Sequence, residues 1–77
     1  MSAAEVEQII QQAKAEQWTE LDLSDRGLTA LPEAIGELTA LESLDLSENE
    51  LRELPDSLWQ LRGLRSLVLD GTRIWRR

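Results

Sequence analysis

Two aspartates, Asp22 and Asp45, are the residues of this chain best placed to do chemistry together. They lie 23 residues apart, each within the same segment LDLS. Paired carboxylates can act as general acid and base, or can hold a divalent cation in a pocket of converging ligands. The sequence contains no His, Cys or Tyr, so it lacks the commonest general base, the thiol nucleophile and the phenolic acid. We therefore predict no enzyme activity, no metal site and no cofactor, and we interpret the two aspartates as binding residues.

Length, charge and composition limit the class of protein. The 77 residues suffice for one small domain, and the net charge is −7. A negative chain is not expected to bind nucleic acid or anionic lipid. The absence of Cys favours a reducing compartment, and the first ten residues do not look like a signal peptide. No run approaches the roughly 18 apolar residues of a membrane span, so we predict a cytoplasmic protein.

The two LDLS segments belong to a longer internal repeat. When residues 18–40 are laid over residues 41–63, 8 of 23 positions are identical. A third copy begins at Leu64 and runs to the end of the sequence. Each copy alternates apolar and polar residues, as a strand requires, and then reaches a proline where a short helix or 3₁₀ segment is expected. One copy cannot bury its own wall of leucines, so the copies must stack.

Residues 41–55 resemble the leucine-rich repeat, L-x-x-L-x-L-x-x-N-x-L-x-x-L-P. The segment LPEAIGELTAL is similar to the intracellular 23-residue sub-class of bacterial Roco-type proteins, erbin-like scaffolds and plant Ras-group repeat proteins. This resemblance implies an α/β fold, a right-handed solenoid with a short parallel sheet on its concave side. Asn49 stands at the family's asparagine position and is expected to satisfy backbone groups at a turn. The other two copies have Arg26 and Thr72 there, so their turns are expected to be looser.

The first residues do not repeat, and they predict an amphipathic helix. Ser2 and Glu5 fit a capping box, and the apolar residues that follow have helical spacing. We expect this helix to cover the N-terminal end of the stacked copies. The predicted organisation is a single leucine-rich-repeat domain over 1–77, with a capping helix at 1–17, repeats at 18–40 and 41–63, and a partial repeat at 64–77.

The third copy is incomplete in this sequence, and its side of the sheet is expected to be open. Exposed strand edges and apolar flanks can pair with another chain. We call the residues expected there the terminal flank: Leu64, Leu67, Leu69, Ile74, Trp75 and Arg76. They support an alternative function, in which the chain is a structural unit or an engineered or truncated repeat fragment that self-associates as a homo-oligomer.

Charge is segregated along the chain. Residues 1–60 carry 14 acidic and three basic residues, net −11, whereas residues 61–77 are net +4. The favoured interpretation is that arginines of the third copy pair with glutamates one repeat earlier, for example Arg65 with Glu42. The alternative is a basic, Trp-bearing patch that meets the acidic region of a second molecule.

The strand residues between the buried leucines should form an exposed face on the concave side. We call the candidate binding residues there the acidic face: Glu20, Asp22, Asp25, Asp45, Glu48, Val68 and Asp70. Such surfaces commonly bind other proteins. We therefore predict a non-catalytic protein-interaction module whose partner is a basic peptide or protein surface, with a solvated face that only prevents aggregation as the alternative. Trp59, which replaces Gly36 of the previous copy, is expected to pack over the helical segments rather than to be exposed.

Overall fold

The structure is a computed structural model that describes residues 3–72. It contains an N-terminal helix, three short strands and two 3₁₀ helices between the strands. In chain order these are α1 (Ala3–Glu16), β1 (Glu20–Asp22), the first 3₁₀ helix (Glu33–Glu37), β2 (Ser43–Asp45), the second 3₁₀ helix (Asp56–Gln60) and β3 (Ser66–Val68).

The three strands form one parallel sheet in the order β1-β2-β3. The register follows the repeat period, because Leu21 pairs with Leu44 and Leu44 pairs with Leu67. Residues 23 apart in sequence therefore stand side by side in the sheet, which is why the side chains of each copy meet their equivalents. The repeat predicted from the sequence is confirmed by this register.

The leucines that recur in each copy build the core, together with the apolar stripe of α1. On the other strand face, Asp22 is exposed, as the period-two alternation predicts. The buried apolar residues are Val6, Ile10, Ala13, Leu21, Leu23, Leu28, Leu31, Ile35, Leu38, Leu41, Leu44, Leu46, Leu51, Leu58 and Leu61. Fully burying one such side chain contributes about 1.5–3 kcal/mol, so this cluster supplies most of the favourable energy of folding.

The connections between strands turn at the two prolines. Pro32 and Pro55 are extended residues immediately before the two 3₁₀ helices, so neither proline removes a hydrogen bond from a helix. The two 3₁₀ helices pack against each other, and the Ser57 hydroxyl donates to the Glu33 carbonyl at 2.8 Å. The short helical segments predicted after the prolines are confirmed.

Helix α1 is present as predicted, and it packs against the first 3₁₀ helix. Ser2, the predicted capping residue, lies outside the described residues. The exposed Lys14 ammonium contacts the Glu37 carboxylate at 3.0 Å. A surface pair of this kind contributes about 0–1 kcal/mol, so the buried stripe and not the ion pair holds the helix in place.

The C-terminal end of α1 requires a left-handed residue. Gln17 has φ of +55°, and its N–H donates to the Lys14 carbonyl while the Trp18 N–H donates to the Ala13 carbonyl. This pair of bonds is the Schellman motif, in which glycine is preferred at the left-handed position. We predict that Gln17→Gly raises the free energy of unfolding by about 1 kcal/mol, because it removes the steric strain of a side chain at positive φ.

Urea denaturation of Gln17→Gly and Gln17→Ala would test this expectation. The alanine variant removes the same side-chain atoms beyond Cβ but keeps the strain, so its stability should stay close to that of the original chain. Equal stabilisation by both variants would mean that the glutamine side chain, and not its backbone conformation, is unfavourable.

Asn49 joins the first two copies through five hydrogen bonds. It is 2% exposed. Its Oδ1 accepts from the backbone N–H groups of Arg26 and Leu28, both at 3.0 Å. Its Nδ2 donates to three carbonyls, those of Leu23, Leu46 and Ser47. The role predicted for Asn49 is confirmed, and because the amide reaches back one copy it also satisfies the turn in which Arg26 replaces asparagine.

Candidate functional site

The two aspartates of the acidic face are neighbours in the sheet. Asp22 of β1 pairs in register with Asp45 of β2, and Val68 of β3 follows in the same row. Adjacent strands lie about 4.8 Å apart, so the two carboxylates approach each other closely on one face. Asp22 is exposed and Asp45 is half-buried. The row of acids therefore covers the first two strands and stops at an apolar residue on the third.

Each aspartate is held by the serine two residues later. The Ser24 backbone N–H and hydroxyl donate to Asp22 Oδ1 at 2.9 and 2.6 Å. Ser47 makes the same two bonds to Asp45 Oδ1, at 3.0 and 2.7 Å. These bonds fix both side chains in the same orientation and use one oxygen of each. The LDLS segment therefore encodes a repeated, preorganised carboxylate.

The hydrogen bonds also favour the ionised form of Asp22. They lower the pKa of this carboxyl below its ordinary 3.8, first through the Ser24 hydroxyl and then through the Ser24 N–H. Desolvation opposes this effect slightly, and the positive charge of Arg26 reinforces it. Because folding lowers the pKa of Asp22, its ionised carboxylate stabilises the folded chain at pH values above the unfolded-state pKa. This stabilisation is lost as the pH falls through the folded-state pKa, so Asp22 is ionised near neutral pH.

The turns after the strands place further acids on this side of the sheet. Asp25 and Glu48 occupy equivalent positions with φ of +54° and +58°, and Gly71 takes the third with φ of +77°. The Asp25 N–H donates to the Ser47 carbonyl at 2.9 Å, and the Glu48 N–H donates to the Asp70 carbonyl at 2.7 Å. These backbone bonds fix the start of both side chains. Glu20, Asp25, Glu48 and Asp70 are all exposed.

The acidic face is an exposed row of carboxylates without a metal-binding cluster in the described residues. Residues 3–72 contain no cluster of three or more acidic residues arranged to hold a metal ion. The two aspartates stand side by side in one row of a three-stranded sheet, each with one oxygen already bonded to a serine. Such an arrangement presents negative charge outward on this face of the sheet.

The terminal flank is only partly covered. Leu64, Leu67 and Leu69 are half-buried, whereas their equivalents one copy earlier are completely buried. Ile74, Trp75 and Arg76 lie outside the described residues. The predicted pairing of Arg65 with Glu42 is wrong, because no ion pair joins these two described side chains. The two residues are joined through the backbone instead: the Glu42 carbonyl accepts from the Arg65 N–H at 2.7 Å, and also from the Ser66 N–H at 3.1 Å.

The interpretation of Trp59 as a packed residue is also wrong. Its side chain is 61% exposed, although the second 3₁₀ helix that carries it is packed against the core through Leu58. The equivalent position in the first copy is Gly36. A Cβ atom there would lie 2.7 Å from both the Cβ and the carbonyl oxygen of Ser57. Ser57 of the second copy therefore covers Gly36, whereas the side chain of Trp59 faces outward.

Comparison with known protein families identifies the class. The leucine-rich repeat family model matches residues 17–74, so the chain belongs to the leucine-rich repeat family. A search of curated proteins found no match to this chain. Across residues 3–72, no helix is long and apolar enough to span a bilayer. Leucine-rich repeat domains typically mediate protein–protein interactions and are generally non-catalytic.

Sequence reasoning placed Ser24 and Ser47 on the exposed strand face but missed their hydrogen bonds to the two aspartates, and it missed the close contact at Gly36. The recurrence of LDLS was a usable signal for the serines, because a hydroxyl two residues after an aspartate commonly bonds it. The exchange of Gly36 for Trp59 was also visible, but its meaning depends on the distance between the two 3₁₀ helices.

Proposed function

We propose that this chain is a non-catalytic protein-interaction module whose acidic face binds a basic peptide or protein surface. The observation that supports this best is the in-register pair Asp22 and Asp45, each held by two hydrogen bonds from its own serine. The repeated geometry presents two parallel carboxylates at strand spacing. Two Lys or Arg side chains of one extended ligand would match that spacing.

Preorganisation explains why this geometry favours binding. A flexible acidic side chain must lose rotamer freedom when it meets a cation, at about 0.5–1.5 kcal/mol per side chain. Asp22 and Asp45 have lost much of that freedom before the ligand arrives. The net charge of −11 over residues 1–60 would also speed the approach of a basic partner.

We further propose the finer architecture that the sequence indicates. The copies would form a right-handed solenoid of the 23-residue sub-class, with repeats at 18–40 and 41–63, a partial repeat at 64–77 and α1 as its N-terminal cap. The parallel register and the packing of α1 on the first 3₁₀ helix support this arrangement. The cytoplasmic location stays a prediction from the sequence.

The double variant Asp22→Asn/Asp45→Asn tests the proposed site. Asparagine keeps an oxygen that can accept from Ser24 or Ser47, so the fold should be retained while the two charges are removed. We expect affinity for a synthetic lysine-rich peptide, measured by isothermal titration calorimetry at low salt, to fall about tenfold or more. The affinity of the original chain should also fall as salt is added.

A matched control removes the same charge elsewhere. Glu33→Gln/Glu53→Gln changes two exposed acids beside the prolines, away from the strands, and should alter affinity less than about twofold if binding is local. If both double variants weaken binding equally, the peptide responds only to net charge and the acidic face is not a site. If the original chain does not bind the lysine-rich peptide, the acidic face is likewise not a site for it.

Self-association through the terminal flank is the alternative function, and it stays a prediction. The half-exposed leucines of β3 and its surroundings favour it. Light scattering over a wide range of protein concentration, with thermal unfolding at each concentration, separates the two functions. A mass and a melting temperature that rise together would indicate that another copy stabilises the folded chain.

A further inference from the structure

An apolar groove lies beside β3, on the side of the sheet away from β2. Its volume is about 220 Å³, and its lining includes Leu58, Trp59, Leu61, Leu64, Arg65 and Leu67. Trp59 is the large hydrophobic side chain that the described residues leave exposed. The groove combines an aromatic wall, half-buried leucines and an exposed strand edge, so its chemistry differs from that of the acidic face.

A further repeat stacked as the second copy stacks on the first would meet a larger side chain beside this groove. The second 3₁₀ helix packs on the first because Gly36 has no side chain: a Cβ atom there would lie 2.7 Å from the Ser57 carbonyl oxygen. One repeat later, Trp59 takes the position of Gly36. A following 3₁₀ helix stacked in the same way would meet an indole where Gly36 has only hydrogen. An extended segment without a 3₁₀ helix at that position avoids this contact.

The edge of β3 offers two backbone donors to such an occupant. In the second copy, the Leu46 and Glu48 N–H groups donate to carbonyls of the third copy, those of Val68 and Asp70. The equivalent N–H groups of the third copy belong to Leu69 and Gly71, and no acceptor for them lies within residues 3–72. An extended segment running parallel to β3 would supply carbonyls in the same pattern.

Charge selects the kind of segment. Arg62 and Arg65 are exposed, and Arg65 lines the groove. Residues 61–77 are net +4, in a chain whose other residues are net −11. Three of the five arginines that contribute to this charge, Arg73, Arg76 and Arg77, lie outside the described part of the chain. An acidic segment would be attracted here and a basic one repelled. A second copy offers acids, but its described residues expose no large aliphatic side chain to fill the groove beside Trp59.

We propose that this groove binds an extended, acidic, leucine-bearing peptide segment of a partner protein, aligned parallel to β3. Its carbonyls accept from Leu69 and Gly71, its aliphatic side chain contacts Trp59 and Leu67, and its acids face Arg62 and Arg65. This site lies at the open edge of the third copy and takes an acidic ligand, whereas the Asp22 and Asp45 pair lies on the first two strands and takes a basic one. The variants Arg65→Glu and Asp22→Asn/Asp45→Asn therefore test the two proposals separately.

Nuclear magnetic resonance titration of the full 77-residue chain tests the proposal. The probe is a synthetic peptide of sequence EESLELS, and the comparison peptide is KKSLKLS. We expect EESLELS to shift the Trp59 indole resonance and the Leu69 and Gly71 amide resonances with saturation, and to leave Asp22 and Asp45 unchanged. At the Trp59, Leu69 and Gly71 resonances, KKSLKLS should bind at least about tenfold more weakly than EESLELS because its charges face Arg62 and Arg65, whatever it does at the acidic face.

Two charge variants give the matched comparison. Arg65→Glu should weaken EESLELS binding about tenfold or more, whereas Arg52→Glu, the same charge change at an exposed residue of the second copy, should change it less than about twofold. Equal effects of the two variants, equal affinities of the two peptides at the Trp59, Leu69 and Gly71 resonances, or no shift of these resonances at millimolar EESLELS would each overturn the proposal.

Two further outcomes would assign the groove to another occupant and so reject the proposal. The first is a dimer by light scattering that Arg65→Glu dissociates while EESLELS has no effect. The second is a chain that responds to EESLELS only after residues 73–77 have been deleted, which would mean that its own C-terminal segment fills the groove.

Discussion

Asn49→Ala is expected to lower the free energy of unfolding by about 3 kcal/mol, because each buried backbone group left without a partner costs about 1–3 kcal/mol. The amide of Asn49 makes five hydrogen bonds to the backbone of two copies, and alanine makes none of them. The Leu28 N–H and the Leu23 carbonyl belong to buried residues, where replacement by water is difficult. For a domain of this size the melting temperature should fall by roughly 15 °C.

Urea denaturation of Asn49→Ala beside Thr72→Ala checks this prediction. Thr72 stands at the equivalent position of the third copy, but within residues 3–72 its hydroxyl makes one hydrogen bond, to the Leu69 carbonyl at 2.8 Å. We expect Thr72→Ala to cost about 1 kcal/mol or less, in line with one hydrogen bond. Similar losses for the two variants would show that the Asn49 network contributes no more than a single bond.

Asn49→Asp separates the acceptor from the donor role. The aspartate retains an oxygen for the Arg26 and Leu28 N–H groups but cannot donate to the Leu23 and Leu46 carbonyls when ionised. Its folded-state pKa should be raised, so the variant should be closer in stability to the original chain at pH 4 than at pH 7. No difference between the two pH values would mean that the donor bonds of Asn49 contribute little.

Gly36→Ala is the second large effect that we expect, a loss of about 2 kcal/mol, because overpacking at a well-packed contact costs about 1–3 kcal/mol. The added Cβ would lie 2.7 Å from the Ser57 carbonyl oxygen, which is backbone and cannot rotate away. The two 3₁₀ helices would have to separate. Such a movement would also stretch the bond from the Ser57 hydroxyl to the Glu33 carbonyl.

Gly63→Ala is the matched control. A Cβ atom at Gly63 would lie 3.6 Å from the Leu41 carbonyl oxygen, an ordinary contact. This variant should change stability by less than about 1 kcal/mol, in either direction, because alanine also restricts the unfolded chain. If Gly36→Ala and Gly63→Ala have the same denaturation midpoint, the contact between the two 3₁₀ helices is looser than the distance of 2.7 Å implies. A larger side chain such as Trp59 would then also be a smaller obstacle to a further repeat.

The binding predictions follow from different parts of the same sheet. The acidic face uses carboxylates that the first two strands hold in place, and the groove uses the unpaired edge of the third strand. A chain with both sites would join a basic segment to an acidic one. Leucine-rich repeat domains typically bind other proteins, but the fold alone does not identify the partner. The calorimetric titration of the acidic face and the nuclear magnetic resonance titration of the groove therefore decide which site is used.

Much of the fold could be predicted because it depends on spacing. Leu21, Leu44 and Leu67 recur at 23 residues, and one wall of leucine per copy can be buried only by stacking. The helix α1 was predictable from its apolar stripe for the same reason. Asn49 was predictable because the family places an amide at a turn. The residues in the acidic face could be predicted from strand alternation, whereas their function as a site is untested.

The sequence by itself determined the period, the buried leucines, the positions of the 3₁₀ helices and the segregation of charge, because each follows from local pattern. Only the tertiary structure decided which side chains the neighbouring copy would cover. Gly36 and Trp59 occupy equivalent positions, yet one is closed by Ser57 and the other faces outward. Arg65 and Glu42 are adjacent in register without forming an ion pair. Sequence spacing sets which backbones are neighbours, whereas the contacts of their side chains depend on distances and directions that arise only when the copies pack.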